Sequence, residues 1–257
     1  MRYGQREADR SPRLQPRALS LERLRVADRL IVALDFTALA PALAIAQRLR
    51  GLVRTVKVGS TLFTACGPVA IQRLRALGFD VMLDLKFFDI PSTVELSCRA
   101  AVRHRVSMLT VHAAGEPAML EAAVRSVREE ARRVRTKRPH VLGVTVLTST
   151  GPSRHAALKH RVVGLARKAL QAGCDGVVAS AQEAEALRRR FGTRPRIVCP
   201  GIRPSSAASR DQRRVCAPGE ALSSGADALV IGRPITAARD PRAAAQRILE
   251  EMEAVAC

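Results

Sequence analysis

Eight short apolar runs recur along the chain at intervals of about 20 to 35 residues, and each is rich in Val, Ile, Leu or Ala. Runs that are nearly continuous in such residues are typical of parallel strands that are covered on both faces. The segments between them carry apolar residues at helical spacing, and several end at a glycine. The predicted strands lie within residues 30–35, 55–59, 81–91, 107–112, 141–147, 175–179, 196–200 and 227–232.

Eight strand–helix units in 257 residues favour an α/β fold of the (β/α)8 TIM-barrel type. An open doubly wound sheet is the alternative, but no G-x-G-x-x-G follows the first strand, so its dinucleotide-binding form lacks the fingerprint. Neither a linker nor a change in composition divides residues 28–257, which we predict to be a single barrel domain. Residues 1–27 are basic and show no sustained periodicity, so we expect a disordered leader there. Thr37 is expected to cap the first helix of the barrel.

The 43 Lys and Arg residues outnumber the 23 Asp and Glu residues, which gives a formal net charge of +20. Such a charge is common in nucleic-acid-binding proteins, but here it is spread over predicted helix surfaces instead of forming one block. Aromatic residues make up 3% of the chain, which is poor material for stacking on bases. We therefore expect an anionic small-molecule substrate, drawn in by a positive field, and no nucleic-acid partner.

Neither a membrane span nor a secretory signal is predicted from the sequence. No apolar run reaches the roughly 18 residues that a span requires, and the amino-terminal segment has no apolar core. The six cysteines are scattered, without a C-x-x-C pair and without histidines at ligand spacing. This pattern favours reduced thiols in the cytoplasm and gives no reason to expect a metal site.

Lysine is rare among the basic residues, since only five of the 43 are lysines. Lys57 and Lys86 both fall within predicted apolar strands, where a cation is costly unless it is paired. Unlike arginine, lysine offers a compact ammonium that can give up a proton. Their presence in strands therefore indicates a chemical role for these two residues.

The third predicted strand ends in two acids that bracket a lysine, in the string D-L-K-F-F-D. Because strand side chains alternate between faces, Asp84 and Lys86 are expected to point one way and Leu83 and Leu85 the other. On its own, this string is more typical of a salt-bridged strand end than of a catalytic site. In a barrel, however, the carboxyl ends of the strands build the active site, and these residues would lie there.

Charged or polar residues also end other predicted strands, and in a barrel they would converge on the same mouth. A purely structural role for all of them would need a separate explanation for each residue. The candidates at the strand ends are Asp35, Lys57, Asp84, Lys86, Asp89, His112, Thr148, Ser149, Arg203, Gly232 and Arg233.

The ends of strands seven and eight indicate phosphate binding. In this fold the loops after these two strands, with the N-terminus of a short helix, form the usual phosphate site. Gly232 allows a close approach of the backbone to an anion, while Arg203 and Arg233 supply positive charge. Either arginine alone would be an ordinary surface residue, but together with their position they favour a phosphate site.

The end of strand three indicates proton chemistry. Lys86, with carboxylates on both sides, is expected to stay protonated, which suits a proton donor better than a Schiff-base nucleophile. An acidic substrate group held against Asp84 or Asp89 would be repelled, and its loss as CO2 would relieve that repulsion. The Lys86 ammonium would also stabilise the carbanion that develops.

From Leu30 onward the chain resembles the orotidine 5′-phosphate decarboxylase family in eight motifs that occur in the same order. They are LIVALD, VKVG, DLKFFDIPST, TVHA, VTVLTS, PGIRP, DQRRV and VIGRPI, of which the third is the family signature. The resemblance implies decarboxylation of orotidine 5′-phosphate to UMP and CO2, the last step of de novo pyrimidine nucleotide synthesis, without a cofactor or metal. It also implies a cytoplasmic homodimer.

The resemblance implies a role for each matching position. Lys86 would protonate C6 after CO2 leaves, and Asp84, Asp89 and Lys57 would complete the catalytic charged array. Asp89 and Thr93 would reach into the site of the partner subunit. The ribose of the substrate would be bound by Asp35 and Lys57, and Thr148 and Ser149 would lie near its pyrimidine. The phosphate would be bound by Gln212 and Arg233, with Arg203 and Gly232 close by. The loop 203–213 would close over it as a lid.

The signature departs from the usual family pattern at two positions. Phe88 stands where histidine is common, and Ser92 stands where asparagine is common. Neither position belongs to the charged array. Ser92 is still expected to cap the helix that starts at Pro91 or Ser92, and Phe88 is expected to affect packing at the dimer interface.

Two other functions compete with decarboxylation of orotidine 5′-phosphate. The first is a sugar-phosphate decarboxylase or aldolase of the same barrel superfamily, whose members share a D-x-K-x-x-D strand and usually bind a metal. They lack the D-I-P-x-T continuation and the G-I-R-P loop that occur here. The second is a basic barrel that binds nucleic acid and has lost catalysis.

Overall fold

A computed structural model describes residues 26–147, 155–204 and 216–256 of the chain. Its strands pair in parallel and in sequence order, and pairing of the last strand with the first closes a barrel. The strands are β1 (Leu30–Ala33), β2 (Thr55–Gly59), β3 (Asp80–Phe87), β4 (Met108–His112), β5 (His140–Val144), β6 (Gly176–Val178), β7 (Arg196–Pro200) and β8 (Ala228–Ile231). The predicted (β/α)8 TIM barrel is confirmed.

Helices connect successive strands and surround the barrel. They are α1 (Val26–Arg29), α2 (Leu39–Leu49), α3 (Ser60–Cys66), α4 (Pro68–Ala76), α5 (Pro91–Arg103), α6 (Pro117–Arg133), α7 (His155–Gln171), α8 (Ala181–Phe191), α9 (Pro218–Ser223), α10 (Arg233–Thr236) and α11 (Pro241–Ala256). Across the described ranges, none of these helices combines the length and hydropathy that crossing a bilayer requires.

The two predicted helix caps are wrong. The residue at the cap position of α2 is Ala38, which has no side-chain oxygen, so Thr37 does not cap this helix. Ser92 lies inside α5, whose cap is Ile90 and whose first residue is Pro91. Proline suits that first position, because its fixed φ matches the helix and its missing N–H would be unsatisfied there in any case.

Two predicted boundaries also differ from the structure. Val26 and Ala27, which the sequence placed in the leader, belong to α1 and pack against the barrel core. Residues 1–25, the rest of the predicted leader, lie outside the described part of the chain. Strand β5 ends at Val144, three residues before the end of the predicted run.

The strands bury apolar side chains on both faces, which explains their nearly continuous apolar sequences. Outward-facing residues such as Leu30, Val56 and Leu83 pack beneath the helices in the main core. Alternate, inward-facing residues fill the barrel interior: Ile31, Ala33, Met82, Met108, Leu142, Val144, Val178, Val198, Ala228 and Val230. The same alternation carries Lys57 and Asp84 inward at the carboxyl ends of β2 and β3.

Helices α5 and α6 are joined by a buried carboxylate. The Glu130 side chain is 1% exposed and accepts hydrogen bonds from Arg133 Nη2 and Arg103 Nε, each at 2.6 Å. Arg99 Nη1 lies 3.5 Å from the same carboxylate. Hydrogen bonds from Arg133 and Arg103 lower the pKa of Glu130 to about 2.

This depressed pKa predicts an acid-sensitive contribution to stability. A carboxylate whose pKa falls on folding stabilises the protein at pH values above its pKa in the unfolded chain, here 4.5. This contribution is lost as the pH falls towards 2. The difference in unfolding free energy between wild type and Glu130→Gln should therefore be largest near neutral pH and shrink below about pH 4.5. Urea-induced unfolding at several pH values measures it, with the exposed Glu253→Gln as control. A difference that does not change with pH would contradict this account.

Candidate active site

A cavity of about 580 Å3 opens at the carboxyl ends of the barrel strands. Its wall brings together seven of the residues that the sequence placed at the site: Asp35, Lys57, Asp84, Lys86, Arg203, Gly232 and Arg233. Thr148, Ser149, Gln212 and loop residues 205–213 lie outside the described residues. The cavity therefore joins the predicted proton-transfer residues of β2 and β3 to the predicted phosphate-binding residues that follow β7 and β8.

Four side chains on one wall of the cavity alternate in charge, and we call Asp35, Lys57, Asp84 and Lys86 the charged row. Lys57 Nζ lies 3.0 Å from Asp35 Oδ1 and 3.7 Å from Asp84 Oδ2. Lys86 Nζ lies 2.9 Å from the same Asp84 Oδ2. The side chains of Lys57 and Asp84 are only 10% and 12% exposed, so each charge needs the opposite charges beside it.

Thr110 on β4 fixes the centre of the charged row. Its hydroxyl donates a hydrogen bond to Asp84 Oδ1 at 2.9 Å and accepts one from the backbone N–H of Lys86, also at 2.9 Å. Thr110 is fully buried. Sequence reasoning missed this residue, although a threonine at an inward position of an otherwise apolar run was a usable signal.

The backbone of Lys86 is left-handed, with φ of 52°. An L-residue in this conformation costs roughly 1–2 kcal/mol, and such strain is concentrated at functional sites. The pairing of β3 with β4 shifts register between Leu83 and Phe87, as at a β-bulge. The irregularity redirects side chains at the strand end, so regular alternation alone does not place Lys86.

Replacing Thr110 with valine should weaken both the fold and the reaction. Valine keeps the shape but leaves Asp84 Oδ1 and the Lys86 N–H without the hydroxyl, which should cost about 1–3 kcal/mol of unfolding free energy. A displaced Asp84 and Lys86 should lower kcat by about 10²-fold. Chemical denaturation and steady-state kinetics measure the two effects. Thr110→Ser keeps the hydroxyl and should stay near wild type, so equal behaviour of the two variants would refute this role.

Gly59 at the end of β2 leaves room for the charged row. A Cβ at this position would lie 2.9 Å from Lys57 Nζ and 3.1 Å from Asp35 Oδ1. A side chain there would push the two charged groups apart. The sequence reasoning did not identify Gly59, although it follows Lys57 by two residues and faces the same way.

His112 lies beside the site but does not line the cavity. Its Nδ1 accepts a hydrogen bond from the Ala114 N–H at 3.2 Å, and its ring lies 5.3 Å from that of Phe88. Burial lowers the pKa of His112, and the positive charge of Lys86 lowers it further. The lowered pKa favours the neutral form of the histidine near pH 7, and the ring contact joins Phe88, which follows β3, to β4.

Backbone contacts join the two segments on either side of the loop that follows β7, and one of these segments carries Arg203. Ile202 and Cys216 form a parallel bridge, and the Arg203 N–H donates to the Cys216 carbonyl at 3.1 Å. Arg203 is 8% exposed, so this cation is held inside the mouth instead of lying on the surface. Arg233 begins α10 directly after β8 and faces the same cavity.

Asp89 and Thr93 do not line the cavity of their own chain. Both are exposed, and Asp89 Oδ1 accepts a hydrogen bond from the Ile90 N–H at 2.6 Å. Large apolar side chains nearby are also exposed, with Phe88 at 61%, Ile90 at 64% and Leu96 at 68%. Within the described ranges, no group of three or more His, Cys, Asp or Glu side chains is arranged to hold a metal ion.

Comparison with known proteins gives concordant matches over most of the chain. Residues 28–248 match the family model described as Orotidine 5′-phosphate decarboxylase / HUMPS family. A protein of Halorhodospira halophila named orotidine 5′-phosphate decarboxylase is 47% identical over 237 residues, which cover 88% of this chain and 96% of the relative. One of the same name from Moorella thermoacetica is 47% identical over 242 residues, with 91% and 95% covered.

A solved structure agrees with these sequence matches. The crystal structure of orotidine 5′-phosphate decarboxylase from Lactobacillus acidophilus superposes with a TM-score of 0.75 at 33% sequence identity. The match covers 88% of this chain and 99% of that chain. The shared fold therefore extends over most of this chain and nearly all of the Lactobacillus protein.

Proposed function

This chain belongs to the orotidine 5′-phosphate decarboxylase / HUMPS family, and we propose that it converts orotidine 5′-phosphate to UMP and CO2. The family resemblance predicted from the motifs is confirmed by the matches. The observation that carries the proposal is the charged row, which lies on the wall of a cavity that also contains Arg203 and Arg233. The reaction is the last step of de novo pyrimidine nucleotide synthesis.

The charged row suits removal of a carboxylate followed by protonation. Asp84 is held by Thr110, Lys57 and Lys86, so it cannot easily move away from a substrate carboxylate bound beside it. Loss of CO2 removes that repulsion and leaves the electron pair of the broken bond on C6. The Lys86 ammonium stabilises this carbanion and donates the proton that completes UMP, and solvent then reprotonates Lys86.

The remaining residues of the cavity suit the rest of the nucleotide. Asp35 and Lys57 are placed to hold the ribose hydroxyls, and Arg203 and Arg233, with Gly232, to hold the phosphate. We assign contacts near the pyrimidine to Thr148 and Ser149, a phosphate contact to Gln212, and lid closure to loop 203–213. These last assignments rest on the family resemblance, and no cofactor or metal enters the mechanism.

A homodimer would complete the site. Asp89 and Thr93 are exposed and do not line the cavity of their own chain, as expected of residues that serve a second subunit. The exposed Phe88, Ile90 and Leu96 beside them offer the apolar surface that a stable interface buries. We therefore propose that each subunit supplies Asp89 and Thr93 to the active site of its partner.

A cytoplasmic location fits the cysteine chemistry. Cys98 and Cys174 are buried free thiols, and burial raises the pKa of each to about 12. Such thiols are unreactive fillers of an apolar core. We propose a cytoplasmic enzyme with one catalytic domain that begins with α1 (Val26–Arg29), and with the basic segment before it as a leader outside the reaction.

An absorbance assay that follows loss of orotidine 5′-phosphate, in the presence of EDTA, tests the proposed function. The charged row contains no metal ligand set, so turnover should be unaffected by the chelator. Absence of turnover, or turnover that EDTA abolishes, would favour the metal-dependent sugar-phosphate enzymes of the superfamily. Tight binding of RNA at physiological salt without any turnover would favour the non-catalytic alternative.

A further inference from the structure

A second cavity lies at the opposite end of the barrel, at the amino-terminal ends of the strands. It has a volume of about 460 Å3 and shares no residue with the active-site cavity. The inward-facing Ile31, Met108 and Val198 form its roof and separate it from the interior of the barrel. This end of a barrel ordinarily contributes to stability, but the charges around this cavity do not fit that role.

Cations outnumber carboxylates in the lining of this cavity. Its six cations are Arg54, Arg75, Arg105, Lys137, Arg138 and Arg196, and its three carboxylates are Asp28, Asp80 and Asp227. All three carboxylates already have cationic partners. Arg54 contacts Asp80 at 2.9 Å and Asp28 at 3.9 Å, and Asp227 accepts a hydrogen bond from Arg188 at 2.6 Å.

Four of the lining cations have no such partner. Within the described ranges, the side chains of Arg75, Arg105, Lys137 and Arg196 make neither a hydrogen bond nor an ion pair. Four like charges around one concave surface repel one another and focus a positive potential in the cavity. An anion bound there would relieve this repulsion.

Arg105 lines the cavity from a strained backbone position. It follows the end of α5 with a left-handed φ of 54°. The equivalent positions after α4, α7 and α9 hold Gly78, Gly173 and Gly225, which adopt positive φ without strain, whereas Arg135, with φ of 50°, stands at the equivalent position after α6. At Arg105 this strained backbone adds a cation to the lining of the cavity.

We propose that this cavity binds a polyphosphate group, either free or carried by a nucleotide. A pyrophosphate or triphosphate brings three or four negative charges, which match the four unpartnered cations. Arginine guanidinium groups donate paired hydrogen bonds to phosphate oxygens, which a point charge does not offer. The cavity is within the range of volumes that hold small ligands. A single phosphate would leave most of the repulsion in place.

Calorimetric titration of the full chain with pyrophosphate, inorganic triphosphate and ATP tests this site. Arg75→Gln should weaken binding by about tenfold. Arg73→Gln is the matched control, since Arg73 is exposed on the same helix α4 and does not line the cavity. Arg233→Gln should leave binding unchanged, because it alters only the phosphate end of the active site. Equal loss in Arg75→Gln and Arg73→Gln would mean unspecific attraction to a basic surface and would overturn the proposal.

Arg105→Gly separates a binding role from a structural one. Without ligand, release of the left-handed strain should raise the melting temperature by about 2–4 °C. The same change should weaken polyphosphate binding by about tenfold. Equal affinity for inorganic triphosphate and ATP would identify the phosphates as the whole recognised group, whereas tighter binding of ATP would extend the site to the nucleoside. No binding of any of the three probes, or binding retained in Arg75→Gln and Arg105→Gly, would overturn the proposal.

Discussion

Lys86→Ala is expected to abolish decarboxylation while the barrel stays folded. Lys86 Nζ is the end of the charged row that faces the cavity, and its side chain is 35% exposed. Its loss removes both the proton donor and the charge that stabilises the carbanion, so kcat/KM should fall by at least about 10⁴-fold. Asp84 keeps Lys57 at 3.7 Å and the Thr110 hydroxyl, so its buried carboxylate is not left alone.

The measurement combines the absorbance assay with circular dichroism and thermal unfolding. Lys159→Ala is the matched control, because this lysine is exposed on α7 and does not line the active-site cavity. It should have wild-type activity and stability. A Lys86→Ala protein with near-normal turnover would show that another group supplies the proton, and an unfolded one would show that the row is needed for the fold.

Asp89→Ala is expected to inactivate the enzyme even though Asp89 does not line the cavity of its own chain. Removing one charge of the array from the partner's site should lower kcat/KM by about 10²-fold or more. Lys86→Ala and Asp89→Ala should then complement each other. If the subunits are mixed at random, half of the dimers are hybrids with one intact site, so about a quarter of wild-type activity returns.

The complementation is measured by coexpressing or reassembling the two variants and assaying the mixture. A mixture of Lys86→Ala and Asp84→Ala is the control, because both changes lie in the cavity of one chain and no hybrid has an intact site. It should stay inactive. Recovery in the control, or none in the Lys86→Ala and Asp89→Ala mixture, would refute the shared site.

The barrel was predictable because its strands are buried on both faces, so their apolar runs stand out from the amphipathic helices between them. The charged row was predictable for the opposite reason. Lys57 and Asp84 interrupt runs in which a charge has a high energetic cost, and their type and position at strand ends restrict the chemistry.

The details of the site depend on contacts between distant residues, which local patterns do not contain. The Thr110 hydroxyl on β4 contacts Asp84 on the neighbouring strand β3, although the two residues are 26 positions apart in the chain. The left-handed conformation of Lys86 accompanies a register shift that no sequence alternation signals. The cap prediction for Thr37 was wrong by one residue, because α2 begins at Leu39 and its cap position is Ala38, which has no side-chain oxygen.

The left-handed backbone of Lys86 also bears on how the gene can change over generations. Backbone conformation alone would favour glycine at this position, because glycine adopts a φ of 52° without steric cost. Lysine therefore persists there only while its ammonium is needed for turnover. In a lineage that obtains pyrimidines from its surroundings, purifying selection on this codon would relax, and Lys86→Gly is the replacement that would relieve the backbone strain.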